Sequence, residues 1–138
     1  MVRRNNREIG SRYEEYAAAF LEKQGLSIVE RNYRCKAGEI DIVARDGRTY
    51  VFCEVKYRRT AISGDPAEAV DSHKQRKIFL AASWYLKERR LPEDTPCRFD
   101  VLALQDSSSG NCEQAPDLGG KPAQKTAVRW IPNAFGGW

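Results

Sequence analysis

The sequence predicts an α/β domain in which one mixed β-sheet is flanked by helices, in the order α-β-β-β-α-β with a further short strand at the end. Apolar residues recur every three or four positions in two segments, near the N-terminus and around residue 80, as in amphipathic helices. Between these segments, two stretches alternate apolar and polar residues on either side of an Asp-Gly pair, which is typical of a β-hairpin. We therefore interpret residues 1–138 as a single domain.

The first helix is predicted to run from about residue 6 to Gln24, and Gly25 is typical of the residue that follows a helix C-terminus. Glu14 lies near the middle of this helix, close to the small residues Ala17 and Ala18, which let a helix approach a sheet closely. Most glutamates in the middle of a helix are exposed to solvent, so the spacing alone favours a solvent-exposed Glu14.

The other elements are predicted from alternation, periodicity and composition. They are, in chain order, a strand at Leu26–Arg34, the hairpin from Gly38 to Lys56, a helix from Pro66 to about Arg90, a strand at Cys97–Leu104, a mobile loop at residues 105–126, a short strand at Ala127–Ile131, and a tail whose Phe135 and Trp138 fold back onto the body. The loop is rich in Ser, Gly, Pro and Gln, which leaves it little to bury.

Asp41 and Glu54 lie on the two predicted strands of the hairpin. If the Asp-Gly pair forms a two-residue loop, Asp41 lies diagonal to Glu54. If a four-residue loop places Arg45 opposite Tyr50, Asp41 lies directly opposite Glu54. Both registers put the two carboxylates on one face of the sheet, because residues two apart on a strand share a face. Only an odd loop or a bulge would separate them.

Carboxylates placed in this way have Cβ atoms about 5 Å apart when opposite and about 7 Å apart when diagonal, close enough to share one cation. Lys56 shares a face with Glu54, and Glu39 either shares a face with Asp41 or pairs with a basic residue. One lysine cannot neutralise three carboxylates, so the pattern favours a divalent metal ion. The alternative is a cross-strand ladder of salt bridges.

The composition limits the classes of protein that fit. The chain has 138 residues, of which 41% are hydrophobic, and a net charge of +4, which permits a polyanionic partner without requiring one. No apolar run approaches the roughly 20 residues of a membrane span, and the N-terminus lacks the apolar stretch of a signal peptide. We expect a soluble, cytoplasmic protein with no membrane partner; both a monomer and a homodimer remain open.

The cysteines and the single histidine exclude several kinds of site. The four cysteines show no CxxC spacing, so the sequence predicts neither a zinc site nor a disulfide, and Cys53 is interpreted as a small core residue. His73 alone cannot supply a two-histidine nuclease or an HExxH site, and it is predicted to be a surface residue early in a helix. A Ser-His-Asp triad would lack the GxSxG motif. Acid–base chemistry would then use carboxylates, lysine or metal-bound water.

Basic residues flank the carboxylate pair along the sequence. Charged runs are usually solvated surfaces, but these lie where a phosphate backbone would have to be held. The sequence predicts nucleic-acid contacts from Arg34, Arg58, Arg59 and Lys74.

The sequence also resembles a known family. The segments GSRYEEYAAAFL, RNYRCKAGEIDIVARDG, VFCEVKYR, GDPAEAVDSHKQRK, CRFDV and IPNAF resemble the bacterial YraN-like family, which is similar to archaeal Holliday-junction resolvases. A helix with GxxxExxA, an Asp on a strand paired with an ExK strand, and a following helix are similar to the restriction-endonuclease-like nuclease superfamily. The resemblance runs from about Gly10 to Phe135, apart from the predicted loop. GEIDIV together with EVKYR is a specific pattern, whereas ExK alone is not.

The resemblance implies a restriction-endonuclease-like fold and a catalytic site of four residues. By resemblance, Asp41 and Glu54 are metal ligands, Lys56 is the partner of the attacking water, and Glu14 is both a fourth site residue and a metal ligand. The implied cofactor is Mg²⁺ or Mn²⁺, because hard carboxylate oxygens select these ions. Phosphodiester hydrolysis needs an activated water and relief for the charge on the phosphoryl oxygens.

Three functions are compatible with these residues. The favoured one is a metal-dependent endonuclease that hydrolyses phosphodiester bonds in structured or branched DNA, the substrate class being taken from the resemblance. The second is a nucleic-acid-binding or assembly protein of nuclease fold with little or no cleavage; a dead site usually lacks a carboxylate or the lysine, and here all are present. The third is a ribonuclease with the same site, against which the absence of an RRM-type aromatic motif argues weakly.

Overall fold

The computed structural model describes residues 6–58, 70–106 and 126–135, with side chains described for residues 13–57, 70–104 and 128–135. Within these ranges the chain forms two helices and five strands. They are α1 (Asn6–Lys23), β1 (Ser27–Cys35), β2 (Gly38–Asp46), β3 (Thr49–Arg58), α2 (Ser72–Glu88), β4 (Cys97–Asp106) and β5 (Thr126–Phe135). This order confirms the predicted mixed sheet flanked by helices.

The five strands form one sheet in the spatial order β1-β2-β3-β4-β5. Strands β3 and β4 are parallel, and the other neighbouring strands are antiparallel. Parallel neighbours require a crossover connection, and α2 provides it. The strand that bears Glu54 and Lys56 therefore lies at the centre of the sheet.

Each helix covers one face of the sheet. Phe52 on β3 packs with Tyr85 of α2, whereas its neighbours Val51 and Cys53 pack with Leu21 of α1. Successive residues of a strand point to opposite faces, so the two hydrophobic clusters lie on opposite sides of the sheet. Cys53 is buried, as predicted.

Helix α1 ends within one residue of the predicted position. Gly25 has a φ of 96°, a left-handed conformation that glycine adopts without a steric penalty. The amides of Gly25 and Leu26 donate to the carbonyls of Glu22 and Leu21 at 3.0 and 3.1 Å. This is the Schellman pattern, which satisfies carbonyls at the end of the helix.

Helix α2 begins at Ser72, later than the predicted start at Pro66. Pro66 lies outside the described residues, but Val70 precedes the helix. Asp71 is the N-cap: its backbone is extended, with φ −70° and ψ 169°, and its carboxylate accepts a hydrogen bond from the amide of Lys74 at 2.8 Å. A residue with this backbone cannot continue a helix. His73 is exposed in the first turn, as predicted.

Strands β4 and β5 extend into the predicted loop at both ends. Gln105 pairs with Ala127, and Asp106 pairs with Thr126. Backbone pairing between strands needs no apolar side chain, so composition did not reveal these residues as strand. Residues 107–125 of the predicted loop lie outside the described residues.

A buried carboxylate fixes the irregular part of β5. Asp100 is fully buried and accepts hydrogen bonds from Arg98 Nε at 3.1 Å, Trp130 Nε1 at 2.9 Å and the amide of Asn133 at 2.9 Å. Asn133 has a φ of 52° and lies where the β4–β5 register shifts. Because its oxygens are paired in this way, Asp100 is a structural residue.

Strand β5 continues to Phe135, beyond the predicted end at Ile131. The ring of Phe135 is buried and stacks on Phe99, with centroids 5.3 Å apart. This contact confirms that Phe135 packs onto the body, while Trp138 lies outside the described residues. Within the described ranges, no helix is long and apolar enough to span a membrane.

Candidate functional site

The hairpin has the second of the two predicted registers. Arg45 pairs with Tyr50, and Asp46 pairs with Thr49, so Gly47 and Arg48 form the turn. Gly47 has a φ of 62°, and two-residue hairpin turns commonly place glycine at a position of positive φ. The two turn residues lie one position later in the sequence than the predicted Asp46-Gly47 pair. This turn sets the register in which the two strands pair.

The two strands of the hairpin separate at Asp41. Pairing between β2 and β3 runs from Asp46–Thr49 to Ile42–Cys53, whereas β3 remains paired with β4 as far as Arg58. The amide of Val55 donates to Asp41 Oδ2 at 2.9 Å. The carboxylate of Asp41 therefore takes the place of a backbone acceptor in the opening between the strands.

Glu54 extends from the face of the sheet that α2 covers. Val43 and Phe52 are paired with each other and both pack with α2. Alternation from Phe52 places Glu54 on this face. In β2 the alternation is interrupted next to Asp41, because Ile40 and Val43 both pack with α2 although they are three residues apart. The negative charge of Glu54 acts on Asp41, as expected for neighbouring carboxylates.

Glu54 is buried and contacts two lysines. Its Oε1 lies 3.5 Å from Lys56 Nζ and 3.8 Å from Lys74 Nζ. The sequence-based argument counted only Lys56 against the carboxylates, and this count is wrong, because Lys74 reaches the site from α2. Lys74 was predicted as a nucleic-acid contact; in the structure its ammonium group lies beside Glu54, and the nucleic-acid contact stays a prediction.

The pKa of Asp41 reflects its burial and its position near Glu54. Burial, followed by the charge of Glu54, raises the pKa of Asp41 to about 7. The hydrogen bond from Val55 and the positive charge of Lys74 act in the opposite direction. Two carboxylates that resist joint ionisation are a setting in which a bound cation is favourable.

Glu14 approaches Asp41 from helix α1. It belongs to α1, is partly buried rather than solvent-exposed, and forms a side-chain hydrogen bond with Asn32. Burial raises the pKa of Glu14, the bond to Asn32 lowers it, and the charge of Asp41 raises it again. Glu14 is thus close enough to Asp41 to interact electrostatically, although its helix packs on the face opposite α2.

Asn32 is a site residue that sequence reasoning missed. Arg31 pairs with Ile42 and Tyr33 pairs with Ile40, so Asn32 lies opposite Asp41 on β1. Its φ is 55°, a left-handed conformation that is rare within a strand. Asparagine is one of the few residues that tolerate this conformation, but the sequence around it reads as an ordinary strand.

The structure describes the side chains of only some of the residues predicted to contact nucleic acid. Arg34 Nε lies 3.7 Å from Glu39 Oε2, and both side chains are exposed; Glu39 therefore pairs with a basic residue, one of the two predicted alternatives. Arg58 is the last residue of β3, and its side chain lies outside the described part of the chain. Arg59 also lies outside it.

The donor set fits a small, hard cation with few protein ligands. Across residues 6–58, 70–106 and 126–135, no three His, Cys, Asp or Glu side chains form a metal-binding group. Asp41 and Glu54 remain as a pair of carboxylates. Mg²⁺ usually keeps several water ligands and binds through one or two carboxylates, so two carboxylates are within the range of protein ligands that it uses. The role of Glu14 as a further ligand stays a prediction.

Comparison with known proteins places these residues in a family. The profile described as "Uncharacterised protein family UPF0102" matches residues 13–104, which is more than half of the chain. The chain belongs to family UPF0102. The matched segment contains Glu14, Asp41, Glu54 and Lys56, so the candidate site lies within the part of the chain common to UPF0102 proteins.

Relatives in the UPF0102 family match most of the chain. A UPF0102 protein of Lachnoclostridium phytofermentans is 51% identical over 100 residues, covering 72% of this chain and 85% of the relative. A UPF0102 protein of Geobacter metallireducens is 44% identical over 132 residues, covering 95% and 94%. A UPF0102 protein of Pseudomonas syringae pv. syringae is 38% identical over 135 residues, covering 98% of both chains. These relatives confirm the resemblance to the YraN-like family.

Proposed function

We propose that this chain is a metal-dependent endonuclease that hydrolyses phosphodiester bonds in structured or branched DNA. The observation that carries the proposal is the meeting of Asp41 and Glu54 beside Lys56, where β2 and β3 separate. A buried pair of carboxylates with a lysine on one of them provides the ligands and the proton-handling group that such hydrolysis needs.

Asp41 and Glu54 would hold Mg²⁺ or Mn²⁺, which when bound supplies an activated water and positive charge for the phosphoryl oxygens. The opening between the strands holds Asp41 in place, because Val55 fixes one of its oxygens. Lys56 Nζ lies 3.5 Å from Glu54 Oε1, and its ammonium group would hold and orient the attacking water. Glu14 would act through its effect on Asp41.

The substrate class is the part of the proposal that depends on resemblance. The strand order and the opened hairpin support a restriction-endonuclease-like fold, and the sequence is similar to that of archaeal Holliday-junction resolvases. The net charge of +4 is compatible with a polyanionic substrate. We propose DNA as the partner and the cytoplasm as the compartment in which the protein meets it.

The test is a cleavage assay with labelled four-way junction, duplex DNA, single-stranded DNA and RNA, in Mg²⁺ or Mn²⁺ and with or without a chelator. We expect cleavage of the junction that requires metal and is lost in Asp41→Asn and Glu54→Gln. Asp94→Asn is the matched control, because Asp94 is an exposed acid in the turn before β4. Preferential cleavage of RNA would change the substrate, while cleavage that survives Asp41→Asn would contradict the assigned site.

A second candidate function is a nucleic-acid-binding protein of the same fold that does not cleave. The contacts of both Lys56 and Lys74 with Glu54 favour it, because two lysines provide the charge that a metal would otherwise supply. This candidate predicts tight junction binding that is unaffected by chelator, with no cleavage in either metal. Isothermal calorimetry of the wild-type protein with Mn²⁺ separates the two, since only the nuclease needs a divalent ion at millimolar concentration or below.

A further inference from the structure

Lys74 reaches the candidate site from a different element than the other residues. It lies in the first turn of α2, where the carboxylate of Asp71 accepts a hydrogen bond from its amide at 2.8 Å. Gln75 secures the same turn, because its Nε2 donates to the carbonyl of Val70 at 2.8 Å. The backbone of Lys74 is thus fixed, and its side chain crosses to Glu54.

Two ammonium groups approach one oxygen of Glu54. Lys56 Nζ lies 3.5 Å and Lys74 Nζ 3.8 Å from Oε1. A buried carboxylate is expensive to leave unpaired, so these contacts stabilise Glu54 in the absence of other cations. A divalent ion on Asp41 and Glu54 would place two further positive charges beside both lysines, which is unfavourable at such short range.

The two lysines differ in how easily their side chains can move away from Glu54. The side chain of Lys56 is 26% exposed and starts two residues from Glu54 on the same strand, whereas that of Lys74 is 40% exposed and starts from the end of a helix. A long, exposed side chain on a fixed backbone can swing into solvent without disturbing the sheet. Lys74 is therefore the lysine whose side chain can be displaced from Glu54.

We propose that Lys74 is an exchangeable counter-ion of Glu54, which competes with the divalent ion for the carboxylate pair and, once displaced, contacts a phosphate oxygen of the nucleic acid. This inference rests on the proposed function, because it requires a divalent ion at Asp41 and Glu54. It assigns Lys74 a different role from that of Lys56, which remains with the attacking water.

Metal affinity tests the competition directly. Lys74→Met should tighten Mn²⁺ binding on the order of tenfold in calorimetry, the scale expected when one nearby, partly screened positive charge is removed. Without metal, the same variant should melt at a lower temperature than the wild type, because Glu54 loses a partner. Lys74→Gln removes the charge but can still donate a hydrogen bond to Glu54, and it provides the same comparison if Lys74→Met does not fold.

Lys77→Met is the matched control. Lys77 is an exposed lysine on the same helix, three residues further along, so its replacement removes the same net charge. We expect its Mn²⁺ affinity to change by about twofold or less, since separated surface charges are screened by salt. Equal affinities of Lys74→Met and the wild type would overturn the inference alone, whereas absence of Mn²⁺ binding in both would overturn the proposed function as well.

Nucleic-acid binding tests the second half of the inference. In a Lys56→Met background, which limits cleavage, Lys74→Met should flatten the salt dependence of duplex binding by about 0.9 in log–log slope when Mn²⁺ is present. With chelator the two slopes should agree, because Lys74 then remains on Glu54. A slope difference that is the same with and without Mn²⁺ would show that Lys74 contacts phosphate independently of metal, which contradicts the exchange.

Discussion

Lys56 is the residue at which a catalytic site and a simple ion-pair cluster predict different results. If Lys56 positions or deprotonates the attacking water, Lys56→Met should lower the cleavage rate on the order of 10² or more. Metal binding should survive, because Asp41 and Glu54 are unchanged, and the metal-free fold should survive, because Lys74 still contacts Glu54. Single-turnover cleavage with saturating Mg²⁺ and calorimetry with Mn²⁺ measure the two effects separately.

The control for Lys56→Met is Lys87→Met, which removes an exposed lysine from the last turn of α2. Cleavage by this control should match that of the wild type. If Lys56→Met also cleaves at the wild-type rate but melts at a lower temperature without metal, Lys56 only balances the charge of Glu54.

Asp41 should make the metal-free protein less stable as the pH rises. Burial and Glu54 raise the pKa of its carboxyl from 3.8 to about 7 in the folded chain. Between these values the folded state holds a proton that the unfolded state has lost, so the free energy of unfolding falls with increasing pH and levels off above about 7. Urea denaturation in chelator across this window measures the slope.

Asp41→Asn provides the comparison for the pH experiment. The Asn side chain keeps an oxygen that can accept from Val55 but does not titrate, so the slope contributed by Asp41 should disappear and the variant should exceed the wild type in metal-free stability near neutral pH. Added Mn²⁺ should stabilise only the wild type. A wild-type protein that gains stability over Asp41→Asn as the pH rises would instead indicate that the lysines stabilise the ionised carboxylate, as in a salt-bridge cluster.

Among the individual elements, β1 contains the backbone conformation that most constrains substitution. Asn32 has a φ of 55°, so Asn32→Val should destabilise the fold by about 1–3 kcal/mol, the usual range for a bulky residue held in a left-handed conformation. Asn32→Gly keeps that conformation available and should cost much less, while removing the side-chain contact with Glu14. Guanidinium denaturation measures both variants.

Arg34→Val is the control on the same strand. Arg34 is exposed, and its pair with Glu39 at 3.7 Å is of the surface kind that contributes little. Valine is favoured in strands, so this variant should remain close to the wild type in stability. If Asn32→Val is equally stable, the left-handed residue is not needed to place β1 beside Asp41.

The elements show which features a sequence can predict. The hairpin was predictable because alternation on both strands and the Asp-Gly pair act locally. The separation of the strands at Asp41 was not predictable, because it depends on a side chain replacing a backbone acceptor. The start of α2 was predicted too early, because the apolar periodicity includes Val70. The helix begins only after Asp71, whose extended backbone and capping carboxylate mark the N-terminus.

For the whole molecule, the order of helices and strands predicted the fold class. The contacts between distant residues at the candidate site depend on packing, which that order does not determine. Lys74 lies eighteen positions after Lys56 in the sequence, and only the crossover of α2 over the sheet brings it to Glu54. The position of Asn32 opposite Asp41 likewise depends on the register between β1 and β2. Contacts of this kind join residues that are distant along the chain, so no local pattern signals them.

Binding of DNA by the whole molecule should depend on the basic residues that flank the site. Arg58→Ala should weaken duplex binding regardless of sequence and reduce the salt slope by about 0.9 if Arg58 neutralises one phosphate. Lys23→Ala, at the end of α1, is the control and should leave the slope unchanged. Unchanged slopes in single variants of Arg34, Arg58 and Arg59 would remove this group from the binding surface.

The irregularities of the two outer strands have a consequence for self-association. Strand β1 has a bulge between Ile28 and Glu30 and the left-handed Asn32, and β5 includes Pro132 and the left-handed Asn133. Bulges, kinks and proline make an edge a poor template for another strand. Any dimer should therefore form without extending the sheet. Amide hydrogen exchange in β1 and β5 should not vary with protein concentration, whereas edge-to-edge pairing would protect one of these strands as the concentration rises.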